Sequence, residues 1–453
     1  MSGQESKVRF VTLGCRVNQY ETQGMRELAG NSGFETFSGC GAHDPAFGHV
    51  GYVVVNTCTV TREADRESRY WIRRARREHP QAKIVVTGCG VEKDAGRFLE
   101  MPEVDGILPN ARKADIAGAL KGDPYSPESA SEPAARRVLY SSELAISRSE
   151  GRTRAFVKIQ DGCNHACSFC KVVLVRGKSR SRALSQIVEE TVRLRDHGYR
   201  EIVLTGIQLG AYGLDLEGKR LLPDVLFRIS QIEGIERVRL SSIEPLDITG
   251  DLISAFKEIP RCMPHLHIPL QSGDDEILKK MNRRYTRAFY SDLILRLRSE
   301  LRDFLFSVDV MAGFPGEEES HFARTVELLR DLKPLKCHVF PYSRREGTVS
   351  SRMTGAVPAQ ITKRRVRELM RLGDHLTREA MEPYWGKCLS VLIEGKLGED
   401  DEAGAYLTGH THNFMKVAVS ENAAAAGQIV PVRLTGIRGD VFWGEAETEI
   451  NKG

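Results

Sequence analysis

Apolar residues in this chain gather in short unbroken runs, and between the runs they recur every three or four positions. "VRFVTLGC" (8–15) predicts a buried strand and residues 18–29 a helix. "GYVVVNTC" (51–58) predicts a second strand, 61–79 a long helix, "AKIVVTGC" (82–89) a third strand and "VDGILP" (104–109) a fourth. Continuous apolar strands alternating with helices imply an open parallel α/β sheet covered on both faces. Within 61–79, Ala64, Ser68, Trp71 and Ala75 fall at helical spacing and predict the packed stripe. Arg66, Arg69, Arg73, Arg74, Arg76 and Arg77 take the other faces, as on a solvated helix.

The pattern then breaks. "KGDPYSPESASEPAARR" (121–137) is rich in Pro, Ser and Glu and reads as a linker, placed at 121–150 after a first domain of 1–120. From 151 the alternation resumes, with strands expected at 154–160, 201–206, 236–241, 264–269, 306–311 and 336–341. Six βα units predict a partial or full (β/α) barrel. A basic helix over 358–382 closes this second domain, 151–383. From 384 to 453 the segments are short and alternating, which predicts a small all-β module of OB-like type.

Composition changes this picture little. The 453 residues are 41% hydrophobic and 28% charged, with a formal net charge of +4, so overall charge identifies no partner. No apolar run reaches the ~18 residues of a membrane span, and the first ten residues lack a signal-peptide core. A cytoplasmic protein without a membrane partner is expected. Ten cysteines in such a chain argue for metal binding or catalysis rather than a disulfide framework.

Six of the ten fall into two sets. "DGCNHACSFC" (161–170) spaces Cys163, Cys167 and Cys170 as C-x3-C-x2-C at the C-terminal end of the first barrel strand, the catalytic end of such barrels. Three thiolates from one loop can hold three irons of a [4Fe–4S] cube and leave the fourth iron for a small molecule. Zinc would need a fourth ligand, for which the loop offers only His165. Cys15, Cys58 and Cys89 are distant in sequence, yet each ends a predicted strand. One such cysteine is an ordinary small buried residue. Three at the same structural position, on the edge where open parallel sheets bind ligands, point to a second cluster. Cys40, Cys262, Cys337 and Cys388 show no comparable spacing and read as packing residues.

With "LGCRVNQYET", "VVNTCTVTREAD", "VKIQDGCNHACSFC", "RGKSRSR", "HIPLQSGDDEILKKMNRRYT" and "DVMAGFPGEEESHF", the chain resembles the methylthiotransferase family of radical S-adenosylmethionine (SAM) enzymes over nearly its full length. The C-terminal module resembles that family's TRAM domain. The resemblance implies two [4Fe–4S] clusters and two uses of SAM. One SAM methylates a sulfur on the cluster of Cys15, Cys58 and Cys89. Another, at the cluster of Cys163, Cys167 and Cys170, yields the 5′-deoxyadenosyl radical that opens a C–H bond for the methylthio group. It also implies an electron donor such as a flavodoxin or ferredoxin and a sulfur donor; the chain is expected to act as a monomer. Phe169, Thr205, Gly206, Gln208, Gln271 and Gly313 are expected to face SAM. Among the family's branches, "TLGCRVNQYET" and "NTCTVT" are most similar to the one acting on N6-threonylcarbamoyladenosine (t6A) at tRNA position 37. The alternatives are isopentenyladenosine-37 and a ribosomal-protein aspartate. Val172-Val173 stands where the family usually has Ile-Pro, and Ala166 where it often has an aromatic residue.

A tRNA partner asks for basic surface. Arg176, Lys178, Arg180 and Arg182 alternate and, if extended, form a phosphate-tracking strip. Lys416 and Arg433, with Lys387 and Arg438, are the expected RNA contacts of the last domain, beside His410, His412 and Phe414 in "HTHNFMK". That domain nevertheless carries six Lys/Arg against ten Asp/Glu from Trp385 on, four of the acids in "GEDDEAG". Two other classes fit less well. A cobalamin-dependent radical SAM methylase would usually carry Asp-x-His-x-x-Gly, which residues 1–120 lack. A non-catalytic metal-containing RNA-binding protein would not need six βα units.

Overall fold

The computed structural model describes residues 6–38, 50–122, 144–149, 151–397 and 406–447. Cys40, the greater part of the expected linker (123–143) and the acidic tip (398–404) lie outside the described residues. The chain divides into two compact units: residues 1–150, 158–183 and 343–348 in one, and 151–157, 184–342 and 349–453 in the other.

The first unit is built on β1 (Lys7–Thr12), α1 (Arg16–Asn31), β2 (Glu35–Ser38), β3 (Tyr52–Thr57), α2 (Arg62–Glu78), β4 (Lys83–Gly88), α3 (Cys89–Lys93), α4 (Ala95–Leu99), β5 (Gly106–Leu108) and α5 (Ile116–Lys121). The strands form one parallel sheet in the order β2-β1-β3-β4-β5. Five consecutive residues of β3 and of β4 are buried, as a sheet covered on both faces requires. Helix α2 is capped by Thr61, whose hydroxyl accepts the Ala64 N–H at 3.1 Å. It buries Ser68, Ile72 and Ala75, with Ala64 and Trp71 packed at the margin. Ile72, rather than Trp71, is therefore the centre of the stripe. The end of the expected linker is docked: Leu144 is buried, and its carbonyl accepts the Tyr20 hydroxyl at 2.8 Å.

The chain continues through β6 (Arg154–Lys158), β7 (Gln160–Asp161), α6 (Val172–Arg176), β8 (Arg180–Ser181), α7 (Leu184–Asp196), β9 (Glu201–Thr205), α8 (Leu222–Ser230), β10 (Arg237–Leu240), α9 (Gly250–Glu258), β11 (His265–His267), α10 (Asp275–Lys280), α11 (Arg287–Glu300), β12 (Leu305–Ala312), α12 (Glu319–Leu332), β13 (Lys336–Pro341) and α13 (Ala359–Met381). In the second unit the parallel sheets β6-β9-β10 and β11-β12-β13 are joined by bridges Val238–Cys262 and Ser242–His267. The result is the expected partial barrel of six sequential strands. Thr249, Asp274 and Thr286 cap α9, α10 and α11 by accepting the amide three residues on.

Five further strands, β14 (Cys388–Lys396), β15 (Tyr406–Thr411), β16 (Lys416–Ser420), β17 (Ile429–Arg438) and β18 (Val441–Ala446), close a barrel in the order β14-β15-β16-β18-β17. Its interior of Val391, Ile393, Met415, Val417, Val432, Leu434 and Phe442 shares one core with Leu305, Met381 and Tyr384. Arg237 and Arg239, two apart on β10, hold it in place: their guanidinium groups donate to the carbonyls of Ser390, His410, Thr411 and His412 at 2.8–3.1 Å. Phe414 stacks on His265 with ring centroids 4.5 Å apart. "HTHNFMK" is therefore in large part a packing segment, with His410, His412 and Phe414 half-buried rather than presented on an open face.

His412 carries a consequence for acid stability. Burial, followed by Arg237, Arg239 and Arg302, outweighs Asp303 and pushes its pKa down to about 4 from 6.5. The unfolded chain takes up this proton below pH 6.5 and the folded chain does not, so stability falls as pH drops from 6.5 towards 4. Thermal midpoints should drop across this window, and less steeply for His412→Gln. An equal drop in both proteins would contradict the assignment.

Candidate metal centres

Cys15, Cys58 and Cys89 stand at the C-terminal ends of β1, β3 and β4, adjacent strands of one sheet. Asn18 ties two of these ends together, donating to the carbonyls of Leu13 at 2.8 Å and Thr57 at 3.0 Å. Gly14 has φ +89°, and a Cβ there would come within 2.7 Å of Cys58 Sγ; only glycine lets the Cys15 turn approach this closely. Burial pushes the Cys58 thiol up to about 12, and the neighbouring Cys89 and Cys15 push the same way. Burial also raises Cys89, against the pull of Arg176. Such thiols give up their protons when a bound cation compensates the charge.

Behind these sulfurs lies a buried charge cluster that composition could not reveal. Arg176 donates Nε to Cys89 Sγ at 3.3 Å, Nη1 to Glu21 at 2.9 Å and to Asp161 at 3.0 Å, and Nη2 to Asn18 Oδ1 at 2.7 Å. Lys158 donates to Glu21 at 2.9 Å and Asp161 at 3.2 Å, and Lys113 to Glu21 at 2.5 Å. All five charged residues are at most 3% exposed. Burial would raise the Glu21 carboxyl, yet Arg176, Lys113 and Lys158 hold it well below the usual carboxylate range. Burial lowers Lys113 despite Glu21. Three cations against two carboxylates leave one positive charge in excess, which an anionic sulfur centre would balance. The donor set and this charge fit an iron–sulfur cluster.

Cys163, Cys167 and Cys170 are half-buried in the turn between β7 and α6. The amides of His165 and Val172 donate to the sulfurs of Cys163 and Cys170 at 3.3 and 3.4 Å. Hydrogen bonds of this kind favour thiolate and tune cluster potentials. Among the described residues no three His, Cys, Asp or Glu side chains converge as ligands of a single ion. A cube does not require that, because its thiolates bind different irons.

The basic strip expected over 176–182 does not form. Val172–Arg176 is helical, and Arg176 and Arg182 are 3% and 2% exposed. Arg182 donates to the Tyr20 hydroxyl and the Lys158 carbonyl. Neither can track phosphates; Lys178 is exposed and Arg180 half-buried. Lys416 is half-buried on β16, while Arg433 is exposed on β17 and paired with Glu447. Cys262 packs as expected, Cys337 is half-buried and Cys388 is exposed.

In the second unit Thr205 and Gln208 are buried at the end of β9, with Gly206 half-buried between them. Gln271, after β11, is 5% exposed with φ +64°, and its Oε1 meets no hydrogen-bond partner among the described residues. A strained residue with an orphaned buried acceptor at the catalytic end of a barrel fits a polar ligand such as SAM. Gly313 does not: a Cβ there would lie 2.4 Å from Thr362 Oγ1, so close packing on α13 explains this glycine. Phe169 is half-buried in the first unit. A cleft of about 740 Å³ opens between α8 and α9, lined by helix residues rather than strand ends, and has no part in these centres.

Residues 7–109 match an uncharacterised protein family, UPF0004, and residues 157–329 match the radical SAM superfamily. The chain is 36% identical over 431 residues to the threonylcarbamoyladenosine tRNA methylthiotransferase MtaB of Bacillus subtilis (strain 168), covering 94% of this chain and 93% of that protein. It is 31% identical over 437 residues to the tRNA-2-methylthio-N(6)-dimethylallyladenosine synthase of Carboxydothermus hydrogenoformans, covering 95% and 97%. The radical SAM methyltransferase TsrM of Kitasatospora setae, solved with cobalamin and a [4Fe-4S] cluster, superposes with a TM-score of 0.57 over 76% of this chain and 77% of that one. At 17% identity this likeness is one of fold.

Proposed function

This chain belongs to the methylthiotransferase family of radical SAM enzymes, and from that membership we propose that it adds a methylthio group to C2 of t6A at position 37 of tRNA. The observation that carries the substrate is the higher identity to the t6A enzyme than to the dimethylallyladenosine synthase, 36% against 31%, at near-complete coverage of both. It agrees with the motif "TLGCRVNQYET" at the first cysteine.

Cys163, Cys167 and Cys170 would hold one [4Fe–4S] cluster, and Cys15, Cys58 and Cys89 a second. When bound, the first supplies the electron that cleaves SAM and the second presents the sulfur to be transferred. The protein's own part is positional. Asn18 and Gly14 bring the Cys15 turn against the Cys58 turn, and the amides of His165 and Val172 stabilise the loop thiolates. Thr205, Gly206, Gln208 and Gln271 would bind SAM, with the free acceptor of Gln271 available to a ligand N–H or O–H. Phe169 resembles the superfamily position whose backbone contacts the SAM adenine.

We further propose the domains 1–120 with the second cluster, a linker at 121–150, a radical SAM domain at 151–383 and a TRAM domain at 384–453, residues 158–183 and 343–348 packing with the first compact unit. The partners are tRNA, an electron donor such as a flavodoxin or ferredoxin, and a sulfur donor. No helix among the described residues is long and apolar enough to cross a membrane.

Mass spectrometry of tRNA nucleosides from cells with and without the gene tests the substrate. Methylthiolated t6A should disappear on deletion and return on complementation. Unchanged methylthiolated t6A, with loss of methylthiolated isopentenyladenosine or a changed ribosomal-protein mass, would transfer the activity to another branch.

A further inference from the structure

Arg176 links the two cysteine sets, one by direct hydrogen bonding and the other by chain continuity. It ends α6, the five-residue helix that begins two residues after Cys170, and its Nε donates to Cys89 Sγ at 3.3 Å. Its guanidinium directs all five N–H groups to acceptors on Cys89, Glu21, Asp161 and Asn18. A lysine, with three donors on a point charge, cannot reproduce that fork. The surrounding group carries three buried cations and two carboxylates, so the buried Cys89 sulfur faces a net positive charge. Charge on this scale acts strongly where solvent is excluded.

We propose that Arg176 is a positioning residue that raises the reduction potential of the centre held by Cys15, Cys58 and Cys89, through its N–H···S bond to Cys89 and the positive charge it anchors there. The proposal rests on the reading that these three cysteines hold a cluster. Adding an electron makes such a centre more negative. A cationic donor 3.3 Å from one of its sulfurs favours the reduced form, and hydrogen bonds to sulfur and net charge are among the levers that set cluster potentials. The helical route from Cys170 makes this setting sensitive to how the loop of Cys163, Cys167 and Cys170 is seated. Glu21, Asp161 and Asn18 serve it by fixing the guanidinium plane.

The test uses the full chain with Cys163, Cys167 and Cys170 replaced by alanine, so that only the other centre can load. After anaerobic reconstitution and iron analysis, its potential is measured by a titration followed by electron paramagnetic resonance. Arg176→Gln should lower the potential by at least the equivalent of a tenfold change in the reduction equilibrium, about 59 mV for one electron. Arg176→Lys should fall between Gln and Arg. Asp161→Asn, which removes a negative charge without touching Cys89, should shift it upwards. An iron-loaded Arg176→Gln protein with an unchanged potential would overturn the proposal. Should Arg176→Gln fail to fold or load, an unmoved or lowered potential in Asp161→Asn would overturn it instead. Absence of iron from the triple-alanine parent itself would sink the second-cluster reading, and with it the proposal.

Discussion

Replacing Cys89 by alanine is expected to abolish methylthio transfer while SAM cleavage continues, whereas replacing Cys167 is expected to abolish both. The asymmetry follows from where the residues stand. Cys167 belongs to the loop that follows the first barrel strand, at the catalytic end of the fold. Cys89 belongs to a separate parallel sheet and shares its edge with Cys15 and Cys58. Changing a residue behind a metal ligand commonly costs ~10–100-fold in metal affinity or activity, and removing a ligand outright should exceed that. The measurement is paired: 5′-deoxyadenosine by chromatography and the methylthiolated nucleoside by mass spectrometry, from one reaction. A Cys89→Ala protein that still makes product would remove the second centre from the reaction, and a Cys167→Ala protein that still cleaves SAM would remove the first.

The second large effect is on stability. Glu21 accepts from Arg176, Lys113 and Lys158, all buried. Glu21→Gln keeps the shape but leaves three buried cations facing Asp161 alone. Breaking a buried ion pair by removing one partner typically costs about 3–5 kcal/mol, because the remaining charge stays desolvated. Glu35→Gln is the control. Its pairing with Lys7 spans 3.8 Å with the glutamate side chain 56% exposed, and such surface pairs are worth about 0–1 kcal/mol. Urea unfolding followed in the first unit should show a much lower midpoint for Glu21→Gln than for Glu35→Gln. Equal midpoints would mean that the charge cluster tolerates imbalance and that the account of its role is wrong.

The sequence disclosed the elements that long-run pattern specifies and missed those set by distant partners. The buried strands β3, β4, β9 and β12 are apolar runs bounded by turns, and the other barrel strands are set apart by helical pattern, so their positions could be read. The convergence of Cys15, Cys58 and Cys89 was legible for the same reason: each ends such a run. Strand β2 (ETFS) was not legible, because a four-residue edge strand with one large apolar residue has no run to detect. The strip expected at 176–182 failed because Arg176, at the end of the helix Val172–Arg176, and Arg182 are both buried. Nor could spacing show that Arg176 is buried against Glu21, 155 positions away. "HTHNFMK" misled in the same manner, since its partners Arg237 and Arg239 lie more than 170 residues upstream.

The central claim is that two sets of three cysteines hold two clusters. Iron and acid-labile sulfide, measured anaerobically on the reconstituted full chain and on its Cys15→Ala variant, test it most directly. Two [4Fe–4S] clusters require about eight irons per chain, falling to about four in the variant. About four irons in both proteins would contradict the claim.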